Sequence, residues 1–159
     1  MKNILAGSII GFFLVSPAMA EAPPSFQDYP VTEHFAGSPA EPVLSAPDAR
    51  KFRTVLRDNA KSGPNLAGHF TLARWGCGAG CISWAIIDAN SGVVWMAPFT
   101  VSDPAGVSDP KLQHSLNSQV DSELIVAVGS RNETGGGKYY YRWHDNKLSL
   151  ITAIENEQK

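Results

Sequence analysis

The chain has little of what usually announces a function. Two cysteines in 159 residues rule out a scaffold laced by several disulfides, and two sulfurs are only half of a zinc site. Charge is sparse, at 18% of residues, and nearly balanced at −2, which gives no case for nucleic acid or an anionic membrane surface as partner. Past residue 20 no apolar run approaches the length of a membrane span. Ser83 lacks a G-x-S-x-G context, and neither a P-loop nor a dinucleotide fingerprint occurs, so no cofactor is expected. No carboxylate pair of the glycosidase kind is recognisable, and there is no internal repeat or low-complexity block.

What is present begins with an export signal over residues 1–20. Lys2 supplies the positive start, Ile4 to Val15 an apolar stretch too short to cross a bilayer comfortably, and Ser16-Pro17 breaks it. Ala18-Met19-Ala20 then offers a small-x-small cleavage site. Cleavage after Ala20 predicts a mature chain of 139 residues without a membrane span, in the periplasm or secreted. With Lys2 gone, 12 basic residues face 15 acidic ones, a net of −3.

Residues 21–46 read as a proline-rich extended lead-in, with a short edge strand around Tyr29 to Phe35 and Phe26, Tyr29 and Phe35 available to dock on the body. Residues 47–154 read as one globular domain and 155–159 as a polar tail. Ser45 to Lys61 is the one helix: Phe52, Val55, Leu56 and Ala60 recur at helical spacing, and Gly63-Pro64 ends it. Its basic residues Arg50, Lys51, Arg53, Arg57 and Lys61 read as a solvated face. Strands are expected at Leu66–Trp75, Cys81–Asp88, Val93–Phe99, Glu123–Gly129, Lys138–His144 and Lys147–Ala153, with Thr100–Leu116 a loop and Arg131–Gly137 a glycine-rich turn. The fold class predicted is α+β: a curved antiparallel sheet of five or six strands with one packed helix.

The chemistry concentrates in Arg74-Trp75-Gly76-Cys77-Gly78-Ala79-Gly80-Cys81. In an oxidising compartment the two cysteines read first as a small structural disulfide, Cys77 to Cys81, with Gly78 and Gly80 permitting the tight loop. Free or redox-active thiols, and a metal site, are the alternatives. A papain-like reading fails: Trp84 comes too late, and the residues after Cys81 read as strand where a nucleophile helix would stand. Candidate binding residues are His69, Arg74, Trp75, Gly76, Gly78 and Gly80, on the expectation that the Trp75–Cys81 connection sits beside His69. The bland readings are a satisfied structural histidine and a core tryptophan. The function expected is an exported non-enzymatic binding module for a periplasmic or extracellular protein or an envelope ligand, of inhibitor or immunity type for example. The alternative is a small thiol-dependent enzyme or redox protein centred on Cys77, Cys81 and His69.

Asn65-Leu66-Ala67-Gly68-His69-Phe70, then Trp75 to Cys81, then Ala85-Ile86-Ile87-Asp88 with Gly92, resemble a group of small exported bacterial proteins. That group carries N-x-A-G-H-[FY], W-G-C-G-x-x-C and A-I-[IV]-D in this order, and Tyr139-Tyr140-Tyr141-Arg142-Trp143 also looks like it. The resemblance spans about 90 residues and implies a secreted, mostly antiparallel domain; it supplies no mechanism.

Overall fold

The computed structural model describes residues 22–78, 80–102 and 115–156. The expected signal, Ala79, His114 and the last three residues of the polar tail lie outside the described residues.

Eight strands form one antiparallel sheet: β1 Phe70–Gly78, β2 Cys81–Asp88, β3 Val94–Met96, β4 Val101–Ser102, β5 Leu116–Ser118, β6 Leu124–Arg131, β7 Thr134–His144 and β8 Lys147–Glu155. The order is β1-β2-β4-β6-β7-β8, with β3 also on β2 and β5 also on β6. Five or six strands were expected. The extra pair, β4 and β5, lies in the stretch read as a loop. Val101 and Leu116 are 1% and 0% exposed, and that burial draws two- and three-residue pieces into the ladder despite the prolines between them.

The expected single helix is two, α1 Pro47–Lys51 and α2 Arg53–Lys61, parted at Phe52, whose φ of −100° and ψ of 20° leave the helical region. Both pack on one face of the sheet. Ala49, Leu56 and Ala60 meet Ala73, Ala85 and Ile87 there. On the other face, Leu72, Trp84, Ile86, Ile125, Ala127, Tyr139 and Trp143 share the main core. The near-continuous apolar run of β2 is thus explained by burial on both faces. Phe70 of β1 and Trp143 of β7 touch edge to face at 5.5 Å. A flat sheet would hold strands four places apart at least about 19 Å from one another. The sheet is therefore curled around its aromatic core. The curl has two ends, one at the start of β1 and the end of β7, the other at the β1–β2 and β6–β7 turns.

Several boundaries differ from expectation for local reasons. Leu66 to His69 is a turn, with Ala67 and Gly68 at positive φ, so β1 starts four residues late. The glycine-rich turn is only Asn132-Glu133, both at positive φ, a two-residue hairpin loop, and β7 runs straight through the glycines. A Cβ on Gly137 would lie 2.4 Å from the Ile154 carbonyl oxygen, so glycine is what admits β8 there. The tail is paired further than expected: Glu155 opposes Gly137 and the Asn156 amide donates to the Gly136 carbonyl.

The lead-in forms no edge strand, only an isolated bridge between Pro30 and Ser122. It is instead a strap. Val31, Phe35, Ala40 and Val43 donate their amides to the carbonyls of Asp121, Gly68, Ala89 and Gly92, and Phe26 and Tyr29 pack on Leu124, Val126, Val128 and Tyr140. The sheet's edges differ as well. Asn65 exchanges two hydrogen bonds with the backbone of Leu72, and Asn59 accepts from the Arg74 amide, so side chains satisfy the outer edge of β1. Among the described residues β8 pairs only with β7, and Leu150, Ile151 and Ile154 are exposed.

Candidate functional site

The end of the curl where β1 begins opens into a groove of about 490 Å³ between the strap and the sheet. His69, Asp88, Glu123, His144 and, from the strap, Glu33 line it over a floor of Phe70 and Trp143. Hairpin geometry brings the first two together. The β1–β2 register sets Phe70 opposite Asp88, and the Ala89 amide donates to the His69 carbonyl. His69 Nδ1 lies 2.8 Å from Asp88 Oδ1.

Asp88 also starts the turn that follows, accepting from the Asn90 amide at 2.9 Å and the Ser91 hydroxyl at 2.6 Å. Burial pushes its carboxyl up, but the bonds from Ser91, Asn90 and His69 outweigh that and hold it below the usual range. An ionised Asp88 only accepts, so Nδ1 of His69 carries the shared proton and Nε2 is the nitrogen left for a partner.

Glu123 repeats the pattern across the groove. Its Oε1 is 2.8 Å from His144 Nδ1, and its Oε2 accepts from Arg142 Nε at 2.6 Å. Burial again raises the carboxyl, and His144 and Arg142 together bring it below its ordinary value. His34 of the strap reaches Asp121 at 3.2 Å nearby. Among the described residues, no group of three or more metal-ligating side chains occurs.

The candidate residues read from sequence are not gathered in one place. Cys77 and Cys81 are bonded to each other at the tip of the β1–β2 hairpin, next to a bulge between Gly76 and Gly78. His69 stands at the other end of β1, roughly 25 Å away at strand rise. Arg74 donates from Nη1 to the Leu116 carbonyl at 2.6 Å, and burial lowers its pKa, so it pins β5 to the sheet. Trp75 packs against Phe52 at 4.9 Å, in the helix-facing core. Gly76, Gly78 and Gly80 lie on the exposed tip, where a Cβ on Gly76 or Gly78 would meet nothing within 4 Å. Glu123, Arg142 and His144 went unrecognised as a set. The signal that finds them is the β6–β7 register, which places Leu124 opposite Arg142 and hence Glu123 beside Trp143.

The signature segments acquire a structural role here. Asn65 satisfies the edge of β1, Gly68 and Gly92 accept the strap, and His69 is tied to Asp88. No known protein family, curated protein or solved structure matches the chain.

Proposed function

We propose that the protein is an exported, non-enzymatic binding module whose groove at His69 and Glu123 receives the ligand. The observation that carries this reading is a groove walled by two histidine–carboxylate pairs, His69 with Asp88 and His144 with Glu123, over an aromatic floor. Side chains held in place by their mutual hydrogen bonds present fixed donors and acceptors to a ligand. The lining acids Glu33, Asp88, Glu123 and Asp145 outnumber the two histidines, which favours a ligand presenting a cationic or hydrogen-donating group, such as a lysine or arginine side chain of a protein partner. The thiol-enzyme reading needs a free thiolate near His69, whereas the sulfurs are bonded at the far end of the hairpin. Export rests on residues 1–20 and on the resemblance to small exported proteins.

The test is capture of partners from a periplasmic extract with the processed chain, repeated with two variants. His69→Ala combined with Glu33→Ala is expected to lose the captured partner. Arg50→Ala with Arg53→Ala and Arg57→Ala, on the solvated helix face, is expected to keep it. The reverse pattern in folded variants rejects the groove. Sequencing the N-terminus of the processed protein checks export: it should begin at Glu21.

A further inference from the structure

The opposite end of the curl carries a second constellation, independent of the His69 groove. β6 ends at Arg131, just after a bulge between Gly129 and Arg131, and bulges re-aim side chains. The guanidinium of Arg131 lies 4.0 Å over the ring of Tyr139, and its Nη1 donates to the Tyr141 hydroxyl at 2.9 Å. These contacts fix a side chain that otherwise loses considerable freedom on binding, so that cost is met before any ligand arrives. Among the described residues no carboxylate lies within ion-pair distance of it. Asn132 beside it is clamped: its amide N–H donates to the Thr100 carbonyl and its Oδ1 accepts from the Thr100 amide, leaving its NH₂ as the donor in reserve. Arg131 and Asn132 both line a cavity of about 570 Å³, with Thr134, Phe99, Tyr139 and Glu155.

The apolar side of this cavity continues. Phe99 stacks on Tyr141 at 5.2 Å and meets Trp84 edge to face at 5.3 Å. A neighbouring cavity of about 190 Å³ shares Pro98, Phe99 and Asn132 with the first and extends to Trp75 and Trp84. A cavity of about 150 Å³ holds one benzene ring. The space beside the charged pocket therefore takes a single aromatic or branched aliphatic group.

We infer that this end is a binding site for a carboxylate carried on an apolar group, the oxyanion held by Arg131 and Asn132 and the apolar group against Phe99 and Trp75. A planar guanidinium can match a carboxylate in two parallel bonds. Bare phosphate or acetate satisfies the cation but leaves the aromatic cavity empty, and an uncharged aromatic does the reverse.

The experiment is a titration of the isotopically labelled chain, followed by backbone-amide and indole N–H signals. The probes are N-acetylphenylalanine, its amide, acetate and inorganic phosphate. N-acetylphenylalanine is expected to shift the Asn132 amide and the Trp75 and Trp84 indole signals, saturating at or below about 10 mM. The other three probes are expected to bind at least about tenfold more weakly, since a charge-assisted bond or the apolar burial is missing. Arg131→Gln is expected to remove the response. Should that variant misfold, Asn132→Asp keeps a residue tolerant of positive φ and sets a negative charge against the ligand, with the same expected loss. The inference fails if the amide or phosphate matches the acid, if shifts cluster at His69 instead, or if every folded variant responds as the unaltered chain does.

Discussion

The two ends of the β1–β2 hairpin are built on opposite plans. At the His69 end the backbone is crowded: a Cβ on Gly68 would fall 2.0 Å from the Glu33 carbonyl oxygen, and one on Gly92 would fall 2.1 Å from that of Glu41. The strap passes so close that only glycine fits, and both residues sit at positive φ, 76° and 74°. At the disulfide end, Gly76 and Gly78 face open space. One end is held by many weak contacts from a distant segment, the other by a single covalent bond between near neighbours. Glycine therefore means two things in one hairpin. It marks close approach at the first end and a tight turn at the second.

This contrast can be broken or sharpened by experiment. The largest effect is expected from Gly68→Ala, which combines a left-handed φ with a backbone collision; about 3 kcal/mol or more should disappear from urea-unfolding stability. Gly76→Ala in the same assay should change stability by no more than about 0.5 kcal/mol. Equal effects from the two would mean that the strap does not approach as closely as described. Next comes Asn65→Ala, which leaves the Leu72 amide and carbonyl of β1 without partners at a cost of about 2 kcal/mol. Replacing Cys77 and Cys81 together with serine should cost at most about 2 kcal/mol, because so short a loop restricts the unfolded chain little. Failure of that double variant to fold at all would contradict this.

The smallest effect is a pH dependence that arises at the His69 end. Asp88 and Glu123 have folded pKa values held below their unfolded ones, which are about 3.9 and 4.3. The unfolded chain therefore binds protons first as pH falls. The stabilisation is complete above those unfolded values and is lost as pH drops below about 4 through the lower folded ones. Asp88→Asn should flatten the acid limb of a stability profile, while the serine double variant should leave its slope unchanged.

Much of this was legible from residue pattern alone. β2 falls on Cys81–Asp88 as read, because an apolar run bounded by a cysteine loop and an Asp-to-Gly turn leaves few alternatives. The β7–β8 hairpin was equally clear from its alternating aromatics and tight Asp145-Asn146 turn. β4 and β5 were not, since two or three residues carry no period; only their burial reveals them. The association of His69 with the cysteine loop failed on length. Both belong to β1 and its approach, but an extended strand separates its ends, and it is the antiparallel partner, Asp88, that comes near. The Arg131 cradle escaped notice because its parts come from Thr100, Asn132, Tyr139 and Tyr141, and a bulge aims the key side chain.

The strap also sets an order of events. The four amides it donates reach Gly68, Ala89, Gly92 and Asp121, positions spread over more than fifty residues of later sequence. None of those acceptors is in place until the β1–β2 hairpin, its following turn and the start of β6 have formed. The neighbouring hairpins close short loops and form early, whereas the strap closes the longest ones and gains nothing by arriving first. The strap is thus expected to settle last in folding. Until it does, the His69 groove lacks one wall, and completion of the site coincides with completion of folding.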